Sequence, residues 1–152
     1  MIGSNGRLGE EHLIVLNKTE QEFVLSGFGI GSEAPVLSIF RNFSAPVKWQ
    51  NSLSGKESFH LLKLDDDPFS RWDAGQALFR KALLARSLSR TDLFLEEELI
   101  SALTEIILNR KDIDKELLFT FFTIPKISEL ESYQNEIDPI SLYEAQISLI
   151  SR

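Results

Sequence analysis

Residues 65–76, DDDPFSRWDAGQ, mark the point at which the chain becomes helical. The Asp67 side chain is suited to accept hydrogen bonds from the free amides of a first helical turn, and Pro68 fits the first helical position because its ring fixes φ. The residues that follow carry apolar side chains at helical spacing: Phe69, Trp72, Phe79, Ala82 and Leu83. This pattern predicts a helix from Pro68 to about residue 88.

The chain on both sides of this helix shows the same helical periodicity. Residues 53–64 predict a short amphipathic turn or helix ahead of it. Asp92 starts the next helix behind it, with glutamates in the first turns, where the helix dipole favours negative charge. The buried face of that helix is expected at Leu95, Leu99, Leu103, Ile106 and Ile107.

Three more helices are predicted towards the end of the chain. One runs from about residue 114 to Phe122 and stops before Pro125. Ser128 and Glu131 have the spacing of a capping box for a short helix. An Asp-Pro pair at residues 138–139 repeats the start signal for a final helix, whose apolar stripe is expected at Ile140, Tyr143, Ile147 and Ile150. Together these segments predict helical hairpins in series, as in a solenoid-like stack.

The first 47 residues have a different character and hold six of the eight glycines. Two short runs rich in β-branched and aromatic residues, 12–16 and 22–26, predict strands joined by a hairpin loop. Residues 35–41 predict a third strand. Three strands are too few for a stable sheet with two faces, so we expect this portion to be part of something larger.

The composition is that of a soluble globular chain. Its 152 residues are 43% hydrophobic and include no cysteine, which excludes disulfide scaffolds and cysteine-ligated metal sites. No apolar run approaches the roughly 18 residues that cross a bilayer, so we expect a cytoplasmic protein without a membrane partner. The net charge is −7, and no cluster of Lys and Arg is large enough to track phosphates, which disfavours nucleic acid as a partner.

Motifs of known catalytic or metal sites are missing from the sequence. The histidines, His12 and His60, lack the following glutamate of an H-E-x-x-H zinc motif, and we expect both to be ordinary. Residues 27–31, GFGIG, are interpreted as a loop, and the Gly-Lys pair at residues 55–56 lacks the rest of a P-loop. The aspartates at residues 65–67 have the composition of a cation cluster, but a solvated, helix-capping turn is the better interpretation. We predict no catalytic, cofactor-binding or metal-ligating residue; a Ser/His/Asp arrangement stays open because the fold would assemble it.

Two motifs carry a resemblance to a known family. Residues 36–48, VLSIFRNFSAPVK, and residues 65–76 match, in order and spacing, the segments P-S-L-L-R-x-F-S-A-P-V-K and H-D-x-D-P-F-N-R-W-E-A-G-Q. These segments are typical of bacterial aminopeptidase N, the zinc-dependent alanyl aminopeptidases, which the chain therefore resembles. Residues 121–125 and 137–139 match two further landmarks more loosely, so the resemblance extends over nearly the whole chain.

The resemblance implies a place within a larger enzyme. In that family a small β-sandwich follows the catalytic domain and precedes a large C-terminal helical domain. Residues 1–47 would be the tail of the sandwich, and residues 48–152 the first part of the helical domain. The expected fold class is therefore mainly α: a helical-hairpin, solenoid-like array preceded by a short antiparallel β segment from an incomplete β-sandwich.

The family's catalytic motifs, G-A-M-E-N and H-E-x-x-H, are absent from the sequence. The resemblance therefore implies zinc in the parent enzyme and none in this chain, and it carries over no zinc ligand, general base or substrate anchor. Leu64, Ser70 and Asp73 depart from the second motif, where the family has His, Asn and Glu. Trp72 is expected to be structural, and Arg71 to pair with nearby carboxylates or a carbonyl.

Two functions from different classes are compatible with these features. The first is a non-catalytic segment of a peptidase that removes N-terminal amino acids, a helical scaffold that limits peptide access and is inactive alone. Its partner would be the catalytic domain of the same enzyme. The alternative is a stand-alone helical protein-interaction module, in which the apolar run at residues 117–122 faces a partner instead of the core. In isolation we expect self-association through exposed edges.

Overall fold

The computed structural model describes residues 13–24, 35–44, 47, 52–109, 115–133 and 138–151, and these are mainly helical. Six α-helices follow one another in the described chain: α1 (Gly55–Leu64), α2 (Pro68–Ser87), α3 (Leu93–Leu108), α4 (Lys115–Phe121), α5 (Ile127–Glu131) and α6 (Pro139–Ile150). A short 3₁₀ turn at Arg41–Phe43 precedes them. The predicted mainly α class is confirmed. Among the described residues, none of the helices is long and apolar enough to cross a membrane.

The described residues near the start of the chain form no strand. Residues 13–24 and 35–40 are irregular apart from an isolated β-bridge at Val36. The other parts of the first two predicted strands, and the glycine-rich loop at residues 27–31, lie outside the described residues. An extended segment becomes a stable strand only where neighbouring strands pair with its backbone groups, and local sequence cannot supply those neighbours.

The three helix starts predicted at an aspartate are confirmed by their caps. Asp67, Asp92 and Asp138 each accept a hydrogen bond from a backbone amide of the turn that follows, at 2.8, 3.0 and 3.1 Å. Pro68 and Pro139 occupy the first positions of their helices. Each cap of this kind stabilises its helix by about 1 kcal/mol.

Helix α5 begins earlier than the sequence predicts. Its N-cap residue is Lys126, whose backbone N–H donates to the Glu129 carboxylate at 3.3 Å. The capping box expected at Ser128 and Glu131 is therefore wrong. The fully buried Pro125 explains the difference, because it anchors the chain in the core immediately ahead of the helix.

Helix α2 is the centre of the helical part, since it packs against α1, α3, α4 and α6. Of its predicted apolar stripe, Phe79, Ala82 and Leu83 are buried, whereas Phe69 and Trp72 are half-buried. The surrounding helices complete the core with further buried side chains: Phe59, Leu61, Leu62, Leu95, Leu99, Leu103, Ile106, Phe121, Leu130, Leu142 and Leu149.

The face that α6 turns to the core differs from the predicted one. Its buried residues are Leu142, Ala145 and Leu149, while the predicted stripe at Ile140, Tyr143, Ile147 and Ile150 is between 47% and 71% exposed. The prediction of that stripe is therefore wrong. Because α6 is apolar on two sides, periodicity alone cannot select the one that α2 and α5 cover. In α3, the predicted core residue Ile107 is likewise exposed.

Candidate functional site

The two motifs that carry the resemblance meet in space. Arg41 joins them: its Nη1 donates to Asp65 Oδ1 at 2.8 Å, and its Nη2 donates to Asp66 Oδ1. The Asp65 side chain is fully buried, so this ion pair lies largely out of water, where charge-assisted hydrogen bonds are strong. We call the contact of residues 38–44 with residues 65–70 the junction.

Asp67 connects the junction to the start of α2. Its Oδ2 accepts from both the backbone N–H and the hydroxyl of Ser70, each at 2.8 Å. Its Oδ1 accepts from the backbone N–H of Asn42 at 2.9 Å. One buried carboxylate therefore caps α2 and binds the preceding segment at the same time.

Two serine hydroxyls complete the polar contacts of the junction. Arg41 Nη1 donates to Ser38 Oγ at 3.2 Å, and the Ser38 hydroxyl donates to Ser70 Oγ at 3.1 Å. Ser70 stands where the resembled family has asparagine, and here its hydroxyl bonds both Ser38 and Asp67. The polar groups thus form a continuous network across the junction, and such networks are strengthened by a low local dielectric.

The backbone of the junction has a conformation that a free peptide would avoid. Phe40, Asn42 and Phe43 have φ values of 55°, 55° and 53°, in the left-handed region. For residues other than glycine this costs about 1–2 kcal/mol each, with Asn the best tolerated. The hydrogen bond to Asp67 and the edge-on packing of Phe43 against Phe69, with ring centroids 5.0 Å apart, offset that cost. The helical part therefore holds this turn in shape.

Arg71, the arginine of the second motif, is held within the helical part. Its Nε donates to the Leu62 carbonyl at 3.0 Å, and its guanidinium lies 5.4 Å from the ring centre of Phe121. Burial lowers the pKa of the Arg71 guanidinium, while the charge of nearby Asp65 acts in the opposite direction. The predicted structural role with a carbonyl partner is confirmed, and Trp72 packs against the core as expected.

The aspartates at residues 65–67 bind groups of this chain. The hydrogen bond from Arg41 holds the pKa of Asp66 below its ordinary value. Asp65 Oδ1 also accepts from the Asp67 backbone N–H at 2.9 Å, whereas the buried Asp65 Oδ2 has no hydrogen-bond donor. The expected capping role is confirmed. The expectation that the turn is solvated is wrong for Asp65 and Asp67, because Arg41 and its segment cover them.

The described part of the chain offers zinc no ligand set. Within it, no three His, Asp or Glu side chains come together in an arrangement that could hold a metal ion. His60 lies half-buried in α1, and His12 lies outside the described residues. A protein zinc site needs three or four converging ligands, so the zinc that the resemblance implies for the whole enzyme does not fit these residues.

A second polar cluster, away from the junction, joins α2, α3 and α6. Arg86 Nε donates to Glu96 Oε1 at 2.9 Å, its Nη2 donates to Glu96 Oε2, and its Nη1 donates to Ser148 Oγ at 2.6 Å. The Glu96 side chain is 0% exposed. Sequence reasoning assigned Glu96 only a favourable interaction with the helix dipole in the first turns of α3, and it missed this pair. Its signal was weak, because an isolated Glu on a helix is normally solvated.

The apolar run at residues 117–122 is divided between core and surface. Phe121 is buried and Leu118 packs against the core, but Phe119 is 75% exposed. The side chain of Leu117 lies outside the described residues. The prediction that this run is core is therefore correct for one side of α4 and wrong for the other.

The helical part of the chain matches a known class of domain. Residues 55–152 match the family described as a domain of unknown function, DUF3458_C, with ARM repeats. Residues 1–52 match the family described as a domain of unknown function, DUF3458, with an Ig-like fold. Because the first match covers more than half of the chain, the chain belongs to the DUF3458_C family.

Three curated relatives of the chain are aminopeptidases N. The chain is 34% identical to aminopeptidase N of Haemophilus influenzae over 96% of its own length. It is 33% identical to aminopeptidase N of Escherichia coli over 89%, and 30% identical to that of Caulobacter vibrioides over 100%. The chain spans only 16–17% of the length of these relatives. These matches fit a fragment of aminopeptidase N.

Proposed function

We propose that this chain is a non-catalytic helical region of an aminopeptidase N-like zinc exopeptidase. The parent enzyme removes N-terminal amino acids from peptides, and this region acts as a scaffold that limits the access of peptides to the catalytic domain. The junction carries the proposal, because Arg41 and Asn42 from the first motif are bound by carboxylates of the second. A contact of this kind fixes the angle at which one domain leaves another, which otherwise varies by default.

The arrangement of domains belongs to the same proposal. Residues 1–47 are the tail of a β-sandwich, with a short antiparallel β segment, and residues 48–152 are the first part of the helical domain. The Ig-like match at residues 1–52 and the ARM-repeat match at residues 55–152 support this arrangement. The junction then lies across the boundary, where a scaffold has to be stiff.

In this proposal the residues of the chain bind and orient, and they do not react. The side chains of Arg41 and Asp67 are engaged in contacts within the chain. We assign zinc to the catalytic domain of the parent, and no residue here is proposed as a zinc ligand, general base or substrate anchor. No step of peptide hydrolysis is assigned to this chain.

The proposed partner is the rest of the same enzyme. The outer face of α6 exposes Ile140, Tyr143, Ile147 and Ile150 and carries one charge, on Glu144. A helix that is apolar on both sides is typical of a helix covered on both sides, as inside a stack of helical repeats. Without that cover we expect the isolated chain to self-associate. Light scattering at high concentration should show oligomers. A chain that stays monomeric would contradict the proposal that the outer face of α6 needs a partner.

A chimera with a relative tests the proposal. This chain replaces the aligned segment of the Escherichia coli aminopeptidase N, and the release of a chromogenic amine from an alanyl substrate is measured. We expect the chimera to be active and the isolated chain to be inactive with or without added zinc. Arg41→Glu in the chimera places a negative charge beside Asp65 and Asp66, and should lower activity by about tenfold or more through misplacement of the domains.

The control for that chimera is Arg90→Glu, a change of the same kind at an exposed position between α2 and α3. We expect it to leave activity unchanged. If Arg41→Glu is as active as this control, the junction does not carry the function. If the isolated chain has activity that a chelator suppresses, the non-catalytic role is wrong.

Two exposed phenylalanines favour the alternative, a stand-alone helical protein-interaction module. Phe94 in α3 is 76% exposed and Phe119 in α4 is 75% exposed. Aromatic side chains that become buried at the centre of an interface often contribute most of the binding energy. Capture of partners on the immobilised chain distinguishes the two functions. A partner that is not an aminopeptidase domain, and that Phe94→Glu or Phe119→Glu releases while Arg90→Glu does not, would support the module. Binding only to the rest of its own enzyme would exclude it.

A further inference from the structure

We infer that Asp67 couples the docking of residues 38–44 to the first turn of α2, so that neither forms at full strength without the other. This inference concerns the chain by itself and does not depend on the proposed peptidase role. If it is correct, a movement of residues 38–44 changes the stability of the first turn of α2.

The carboxylate of Asp67 is divided between the two elements. Oδ2 holds the Ser70 backbone N–H and hydroxyl, and Oδ1 holds the Asn42 backbone N–H. The residue is only 3% exposed while the segment covers it, so a local loss of the Asn42 N–H admits little water to replace that donor. Loss of the Asn42 N–H leaves a buried acceptor unsatisfied, which favours rotation of the carboxylate away from Ser70.

A second route joins the same two elements. Arg41 donates to Ser38, and the Ser38 hydroxyl donates to Ser70. Arg41 and Ser70 therefore act on each other through Ser38 as well as through the backbone that leads to Asn42. Because two routes connect one turn to one cap, we expect their hydrogen bonds to open together.

The left-handed turn makes docking close to all-or-none. Phe40, Asn42 and Phe43 all have positive φ, and such conformations persist only where surrounding contacts determine them. A turn that lost Asp67 would relax to ordinary backbone angles, which removes the Asn42 N–H from its place and Phe43 from Phe69. Partial docking is therefore disfavoured. When the turn opens, the hydrogen bonds between Asp67 and the first turn of α2 weaken as well.

Amide hydrogen exchange of the whole chain, measured by NMR, tests the coupling at two reporter groups. Asn42 N–H reports the turn, and Ser70 N–H reports the helix cap. Arg41→Gln should accelerate exchange at both by about tenfold, although no hydrogen bond joins Arg41 to the Ser70 amide. Arg41→Lys keeps the charge but cannot donate to Asp65 and Asp66 through two separate nitrogens. It should give a smaller acceleration of exchange, again at both amides.

The reciprocal variant and a matched control make the result decisive. Ser70→Ala removes one donor to Asp67 and should accelerate Asn42 N–H by about tenfold. Asp138→Ala removes the corresponding Asp-Pro cap of α6, whose carboxylate binds the amides of Ile140 and Ser141, and should accelerate exchange in α6 only.

The amide of Leu103, in the core of α3, reports global opening in every variant. The test compares how much the exchange of the Ser70 amide accelerates with how much that of the Leu103 amide accelerates. The excess at Ser70 measures the coupling even in a variant that is destabilised as a whole. If Arg41→Gln and Arg41→Lys accelerate exchange of the Asn42 amide, but accelerate exchange of the Ser70 amide no more than that of Leu103, the coupling does not exist.

Discussion

Replacing Arg86 with methionine should destabilise the helical part by about 3–5 kcal/mol. Arg86 reaches from α2 to the Glu96 carboxylate with two donors, one of them at 2.9 Å. The Glu96 side chain is 0% exposed and the Arg86 side chain 15% exposed. Methionine fills the space of the arginine stem but leaves the carboxylate without either donor. Because the Glu96 carboxylate is buried, removing the arginine should cost as much as breaking a buried ion pair usually does.

Urea unfolding followed by far-UV circular dichroism measures this loss. With a slope of about 2 kcal/mol per M, the midpoint should fall by about 2 M. Ser148→Ala is the control, since it removes only the hydroxyl that accepts from Arg86 Nη1 at 2.6 Å on the exposed side. That change should cost about 1 kcal/mol. If Arg86→Met costs no more than Ser148→Ala, the buried pair does not hold α2 to α3.

A double-mutant cycle separates the pair from its surroundings. Glu96→Leu combined with Arg86→Met removes both charges and leaves neither group buried alone. Most of the loss should then be recovered, with a coupling free energy of about 2 kcal/mol or more. Losses that simply add would show that the two side chains act independently.

Three further outcomes are expected. Asp67→Asn should cost about 1–3 kcal/mol, measured by urea unfolding, because both oxygens of Asp67 accept hydrogen bonds and the amide would place a donor against one of these donors. Leu142→Ala should cost about 2–5 kcal/mol, and Ile147→Gln should stay within about 0.5 kcal/mol; the reverse order would restore the predicted face of α6. Since Arg41 lowers the pKa of Asp66 in the folded chain, this group stabilises the fold above its unfolded pKa, and the contribution disappears as the pH falls through the lower folded value. The urea midpoint should therefore decline below about pH 4, less steeply in Asp66→Asn.

The helix starts were predictable because their causes are local. An aspartate that accepts amides of the next turn, followed by proline, needs no other part of the chain, and Asp67 and Asp138 both cap as expected. The start of α5 was not predictable in the same way. It depends on Pro125, which the core holds in place, and a Ser-to-Glu spacing that suits a capping box does not compete with that anchor.

The junction was only half visible in the sequence. The two motifs could be recognised as motifs, but nothing in either indicated that they touch. Arg41 and Asp65 are 24 residues apart in the sequence. The left-handed turn that directs the Asn42 N–H towards Asp67 contains no glycine, so nothing in the sequence signalled its positive φ values. The network across the junction therefore became evident only when both segments were placed in space.

The sequence by itself determined the helices and their order, because periodicity and capping act within one or two turns. It also carried the resemblance to aminopeptidase N, through residues 36–48 and 65–76. Only the tertiary structure decided which side of α6 is covered, that Glu96 is buried against Arg86, and that Arg41 and Asp67 bind across the junction. Burial and pairing depend on which distant segments come together, and that information lies in the packing of the whole chain and not in any single stretch of it.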